Sequence, residues 1–130
     1  MRILVVDDDA IVIKSCKRIL EAEGFEVSSV PSADEALGAI KQFDFDLLLI
    51  DVKMPKHDGM YLMREIKKEL PDVPIIVMSG YPTPETISDV IHLGANQFIP
   101  KPFRPDELMK TIRQVLQKVS SRKSFPTGAG

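Results

Sequence analysis

A chain of 130 residues with 44% hydrophobic and 28% charged residues has the makeup of one soluble globular domain, with no length left over for a second. A formal charge of -2 and a pI near 5.7 give no basic footprint for gripping a phosphate backbone, which disfavours direct nucleic-acid binding and membrane adhesion. Cys16 has no partner for an intramolecular disulfide, "MRILVVDDDA" is no signal peptide, and no apolar run nears the ~20 residues that cross a bilayer, so a cytoplasmic setting fits.

In chain order, "RILVV" (2 to 6) reads as a strand, followed by a helix-period segment from Ile11 to Glu23 that Gly24 closes. "FEVSSV" (25 to 30) is the second strand, and Ser32 can cap a helix running to Phe43, with Glu35 of "SADE" at the capping-box position. "DLLLI" (46 to 50) precedes a helix from Asp58 to Leu70, and "PIIVM" (74 to 78) precedes one from Pro84 to Leu93 that ends at Gly94. "QFIP" (97 to 100) leads into a last helix, Pro105 to Val119; Pro84 and Pro105 both suit first-turn positions. Residues 120 to 130, "SSRKSFPTGAG", lose all periodicity and are expected to form a disordered tail or a truncated linker. Strands that read as continuous apolar runs, joined by crossover helices, predict a parallel sheet with helices on both faces. This is a doubly wound α/β domain over residues 1 to 119.

Ligands of such sheets bind at the carboxyl ends of the strands, and the polar residues collect there. The first strand runs into Asp7, Asp8 and Asp9, the third into Asp51 of "LLLIDVKMPKHDG", the fourth into Ser79 and Gly80, and the fifth into Lys101 of "PKPF". An ionised carboxylate at the end of an apolar run needs water or a cation beside it. Clustered carboxylates resist ionising together unless they share a cation, and with only hard oxygen ligands on offer that cation is Mg²⁺, or Mn²⁺. A carboxylate beside such an ion and a lysine can attack phosphorus to give an acyl phosphate, which makes Asp51 a candidate nucleophile with Lys101 neutralising the transferring oxygens.

These motifs resemble the receiver domain of bacterial two-component response regulators, over residues 1 to about 119. The resemblance implies a flavodoxin-like (βα)5 fold with strand order 2-1-3-4-5. It implies Asp7 and Asp8 as the acidic pair, Asp51 as phosphoacceptor, Lys53 as donor of a backbone carbonyl to the metal, Ser79 as the hydroxyl that swings toward the phosphoryl group, and Lys101 as the family's lysine, with a cis peptide before Pro102. Phe98 stands where many members carry a switching Tyr, and Lys53 and Tyr81 occupy positions that tune dephosphorylation, here expected to be slow. Gly80 stands where alanine is frequent, and Asp9 is a third acid beyond the pair. The implied partners are a histidine kinase or histidine phosphotransferase and a downstream protein, with a monomer or a phosphorylation-dependent dimer as the assembly.

Beyond the motifs, Ile11, Val12 and Ile13 sweep about 200° of a helix, so at least one is exposed beside the acids; Ile11 and Ile13 are candidate contacts for the phosphodonor. His57 and His92 lack ligand spacing and read as loop and helix surface, and Cys16 reads as a small core residue. Two other functions compete with the switch. One is a haloacid-dehalogenase-type phosphatase with Asp7 as nucleophile and Asp9 as acid/base, disfavoured by the missing cap insertion and second acidic pair. The other is a passive receiver-like interaction module.

Overall fold

The computed structural model describes residues 1–54, 56–80 and 82–119, and beyond them only the backbone of the last helix. The expectation for residues 120 to 130 falls outside the fully described residues. Five strands and five helices alternate: β1 (Arg2–Val6), α1 (Ala10–Ala22), β2 (Glu26–Val30), α2 (Ala33–Gln42), β3 (Leu47–Asp51), α3 (Gly59–Glu69), β4 (Ile75–Ser79), α4 (Pro84–His92), β5 (Gln97–Pro100) and α5 (Pro105–Ala129). All strand pairs are parallel, in the order β2-β1-β3-β4-β5.

Local chemistry sets the boundaries. Asp9, Ser32, Asp58 and Thr83 each turn a side-chain oxygen onto an early amide of the helix that follows, satisfying donors that have no partner within the helix. The Ser32 hydroxyl also donates to Glu35 Oε2 at 3.2 Å, so "SADE" does act as a start signal. Gly24 and Gly94 follow α1 and α4 with φ of +91° and +107°, the left-handed conformation that ends a helix and that side chains resist.

Alternate strand residues enter opposite layers, as the period of two requires. Leu4, Val6, Leu48, Ile50, Ile75 and Val77 pack with Ala36, Leu62, Ile66 and Val90 of α2, α3 and α4. Ile3, Val5, Leu47, Leu49, Ile76 and Met78 pack on the other side with Cys16 and Leu20 of α1 and with Leu108 and Ile112 of α5. Fully burying one such side chain contributes roughly 1.5–3 kcal/mol, which is why the three central strands are apolar on both faces.

Strands β3 and β4 each reach one residue past their apolar runs. Asp51 pairs with Met78, and Ser79 with Pro100, so both polar residues are the last rungs of the ladder and not the first residues of a loop. Among the described residues no helix is long and apolar enough to cross a membrane.

Candidate functional site

Among the described residues, the buried polar and charged ones, Asp7, Asp51 and Ser79, all stand at the carboxyl edge of the sheet. The Asp7 amide donates to Val30 O at 3.2 Å, and the Val52 amide donates to Met78 O at 3.0 Å, which extends the ladder past the side chains that carry charge. Lys101 leaves β5 with its amide on Ser79 O at 2.8 Å. Its peptide bond to Pro102 is cis, as the resemblance implies.

Lys101 Nζ lies 2.7 Å from Asp7 Oδ2 and 3.3 Å from Asp51 Oδ1, so one ammonium bridges two buried carboxylates. The other oxygen of Asp7, Oδ1, accepts the Asp9 amide at 2.9 Å. Burial, and then the Asp7 charge, push the Asp51 carboxyl up to about 6, against the pull of Lys101 and a hydrogen bond from the Lys53 backbone amide. Burial works to lower the Lys101 pKa, yet its hydrogen bond to Asp7 and the charges of Asp51 and Asp7 outweigh that and raise it. Behind the site, burial and the nearby Asp7 charge drive the Cys16 thiol up to about 12, the inert core residue expected.

Asp8 is exposed at the rim, and a carboxylate oxygen from each of Asp7, Asp8 and Asp51 falls within 4.8 Å of the others. Three carboxylates against one ammonium leave an excess of negative charge over an all-oxygen donor set open to water. That chemistry fits a hard divalent cation.

The remaining residues singled out from the sequence divide. Lys53 is exposed just past β3, and Phe98 is half-buried on β5 against the layer formed by α2, α3 and α4. Ile11 is 76% exposed on α1, whereas Ile13 turns inward against the other layer. Ile11, Val12, Ser15, Gly80, Pro102 and Phe103 line an open, mainly apolar groove that ends at Lys101. Tyr81 lies outside the described residues. His57 and His92 are both exposed, and the His57 ring stacks on Tyr61 at 4.1 Å with Nδ1 3.2 Å from Asp34 Oδ1. Gly59 was not singled out, although it closes "KHDG". The one available signal was a glycine at the first position of a helix already capped by Asp58, a place where glycine has no conformational merit.

A family model described as the response regulator receiver domain matches residues 3–113. The chain is 39% identical over 127 residues to the probable transcriptional regulator ycf27 of Porphyridium aerugineum, covering 95% of this chain and 51% of that protein. It is 36% identical over 118 residues to response regulator MprA of Mycobacterium avium (strain 104), covering 91% and 52%. The chain thus spans about half the length of the curated relatives it matches. Among solved structures it is similar to a CheY-like response regulator receiver domain protein from Methanospirillum hungatei JF-1. That match has 36% identity and a TM-score of 0.89, and covers 93% of this chain and 97% of the other. Neither the phosphatase nor the passive module is favoured by these likenesses. Fold, strand order and sequence agree, and the chain belongs to the response regulator receiver domains of two-component systems.

Proposed function

We propose that Asp51 accepts a phosphoryl group and that this modification switches the domain. The observation that carries the reading is the seating of the Asp51 carboxylate on the last rung of a central strand, 3.3 Å from Lys101 Nζ and grouped with Asp7 and Asp8. A carboxylate so fixed loses little freedom on the way to an attack geometry. An Asp51 oxygen attacks phosphorus as the bond to the leaving group breaks, a P–N bond in a phosphohistidine or a P–O bond in acetyl phosphate. The negative charge passes to the leaving group. Lys101 neutralises charge on the transferring oxygens, and the raised pKa keeps it cationic throughout.

Asp7, Asp8, Asp51 and the backbone carbonyl of Lys53 would hold Mg²⁺, or Mn²⁺ in its place. When bound, the ion supplies further compensation for phosphoryl charge. Phosphorylation adds a charge of about -1.5 to -2, which draws in the Ser79 hydroxyl and Lys101. The pull passes along β5 to Phe98 and to α4, whose outer face exposes Ile87 and Ile91 to a downstream protein. Lys53, exposed just past Asp51, shields the acyl phosphate from water and makes its hydrolysis slow; rapid loss of phosphate from the isolated protein would oppose that role. The setting is cytoplasmic.

The phosphodonor is the helical domain of a histidine kinase or phosphotransferase, seated over Ile11 and the apolar groove beside it. Ile11→Glu should slow transfer from a phosphorylated donor protein about tenfold and leave transfer from acetyl phosphate unchanged; equal rates with the protein donor would remove this surface from consideration.

The deciding test is incubation with Mg²⁺ and acetyl phosphate, read by intact mass. A gain of one phosphate in wild type, slower in Asp7→Asn because a metal ligand is lost, and absent in Asp51→Asn, supports the assignment. A gain that survives Asp51→Asn overturns it.

A further inference from the structure

Asp51 sits between two backbone contacts that meet at a single peptide unit. The Gly59 amide, at the start of α3, donates to Val52 O at 2.8 Å, and the amide of the same Val52–Lys53 peptide donates to the Asp51 carboxylate. That peptide is therefore held at both ends, by α3 on one side and by the reacting side chain on the other. A Cβ on Gly59 would collide with Asp51 O and stand 2.9 Å from Val52 Cα. Both neighbours are backbone at the end of a central strand, so neither can swing aside as a flexible side chain would. Gly59 has no positive φ, and Asp58 already caps the helix. The close approach is what the glycine is for.

We propose that Gly59 is a positioning residue for Asp51: by admitting α3 against the end of β3, it fixes the Val52–Lys53 peptide, whose N–H in turn orients the carboxylate. The inference rests on Asp51 being the phosphoacceptor. A side chain at position 59 lifts α3, lengthens or breaks the bond to Val52 O, lets the peptide rotate, and takes the Lys53 amide off the carboxylate. The oxygen that attacks is then free to sample orientations pointing away from the donor.

The test compares wild type, Gly59→Ala and Gly59→Ala/Gly38→Ala. Gly38 is an exposed glycine within α2 where an added Cβ meets nothing within 4 Å, so alanine there restores stability without touching the site. Two quantities are read: the phosphorylation rate at saturating acetyl phosphate and Mg²⁺, and the hydrogen exchange of the Lys53 amide in metal-free protein. The expected result is a rate lower by about tenfold or more in both variants, because misplacement of ~1 Å costs up to ~100-fold, together with faster Lys53 exchange even where the double variant melts like wild type. A rate within about twofold of wild type, or a Lys53 amide that exchanges as before, overturns the proposal.

Should Gly59→Ala not fold, Asp58→Ala loosens the first turn of α3 without adding an atom at the contact. It is expected to speed Lys53 exchange and slow phosphorylation about two- to threefold, and an unmoved Lys53 amide overturns the proposal. If wild type takes up no phosphate, the reading of Asp51 fails, while the Lys53 amide still decides whether Gly59 places that peptide.

Discussion

Two half-buried lysines stand at opposite ends of the sheet and respond to burial in opposite ways. Lys101, at the carboxyl edge, meets two full negative charges and its pKa rises. Lys67, at the foot, donates to Pro71 O at 3.2 Å and Val73 O at 3.3 Å. Burial lowers its pKa, with only the charge of Asp72 pulling it back. Both ammoniums lose water and both are hydrogen-bonded. The difference is that carbonyl dipoles replace water only in part, whereas ionised carboxylates more than replace it. Lys101 is thus a fixed charge built for electrostatic work, and Lys67 is a strut joining α3 to the loops beside Gly94, where an added Cβ would meet Lys67 Cε at 2.7 Å.

The comparison is broken most directly by Lys101→Met, the substitution with the largest expected effect. It should slow phosphorylation by acetyl phosphate more than about 100-fold, since a preorganised donor at the transferring group is typically worth that much. It should also remove about 3 kcal/mol of stability at pH 8, because two buried carboxylates lose the ammonium that bridges them. Less should be lost at pH 5, where Asp51 takes up a proton, and equal losses in urea unfolding at the two pH values would contradict the bridging role.

Next comes the pH dependence of the wild type in metal-free buffer. The Asp51 pKa is raised from 3.8 to about 6, so the native state holds a proton that the unfolded chain has released. Stability therefore falls as pH rises through that window, by about 3 kcal/mol. Asp51→Asn should flatten the slope, and a slope of the opposite sign would mean that Lys101 outweighs burial.

Lys67→Met sharpens the contrast from the other end. Its carbonyl partners border an open groove and can turn to water, so stability should change by no more than about 1 kcal/mol and phosphorylation not at all. The smallest effect is chemical. An amine-reactive reagent at pH 9, followed by peptide mass spectrometry, should label Lys67 ahead of Lys101, because the neutral amine forms at lower pH in the first and at higher pH in the second.

Much of this arrangement was legible in the sequence, for a geometric reason. A parallel strand delivers whatever follows its apolar run to one edge, so Asp7, Asp51, Ser79 and Lys101 group together from the sequence alone. The capping serine and the two left-handed glycines were legible because their signals span at most four residues. Gly59 was not, since its partner atoms belong to residues 51 and 52, across a loop whose path no local pattern encodes. Lys67 looked like any charge on an amphipathic helix, and only the packed loops show it half-buried. Helical spacing puts at least one of Ile11, Val12 and Ile13 in water and leaves both isoleucines as contact candidates; that Ile11 is exposed while Ile13 packs inward shows only in the folded layer.

Cys16 carries one more consequence. It is the chain's single thiol, fully buried beneath α1 and held protonated far above neutral pH. A thiol-alkylating reagent can reach it only in molecules whose α1 has lifted from the sheet, so the alkylation rate counts those molecules directly, in buffer and without denaturant. Run before and after treatment with Mg²⁺ and acetyl phosphate, the same reaction becomes a stopwatch for how firmly α1 is held in each case.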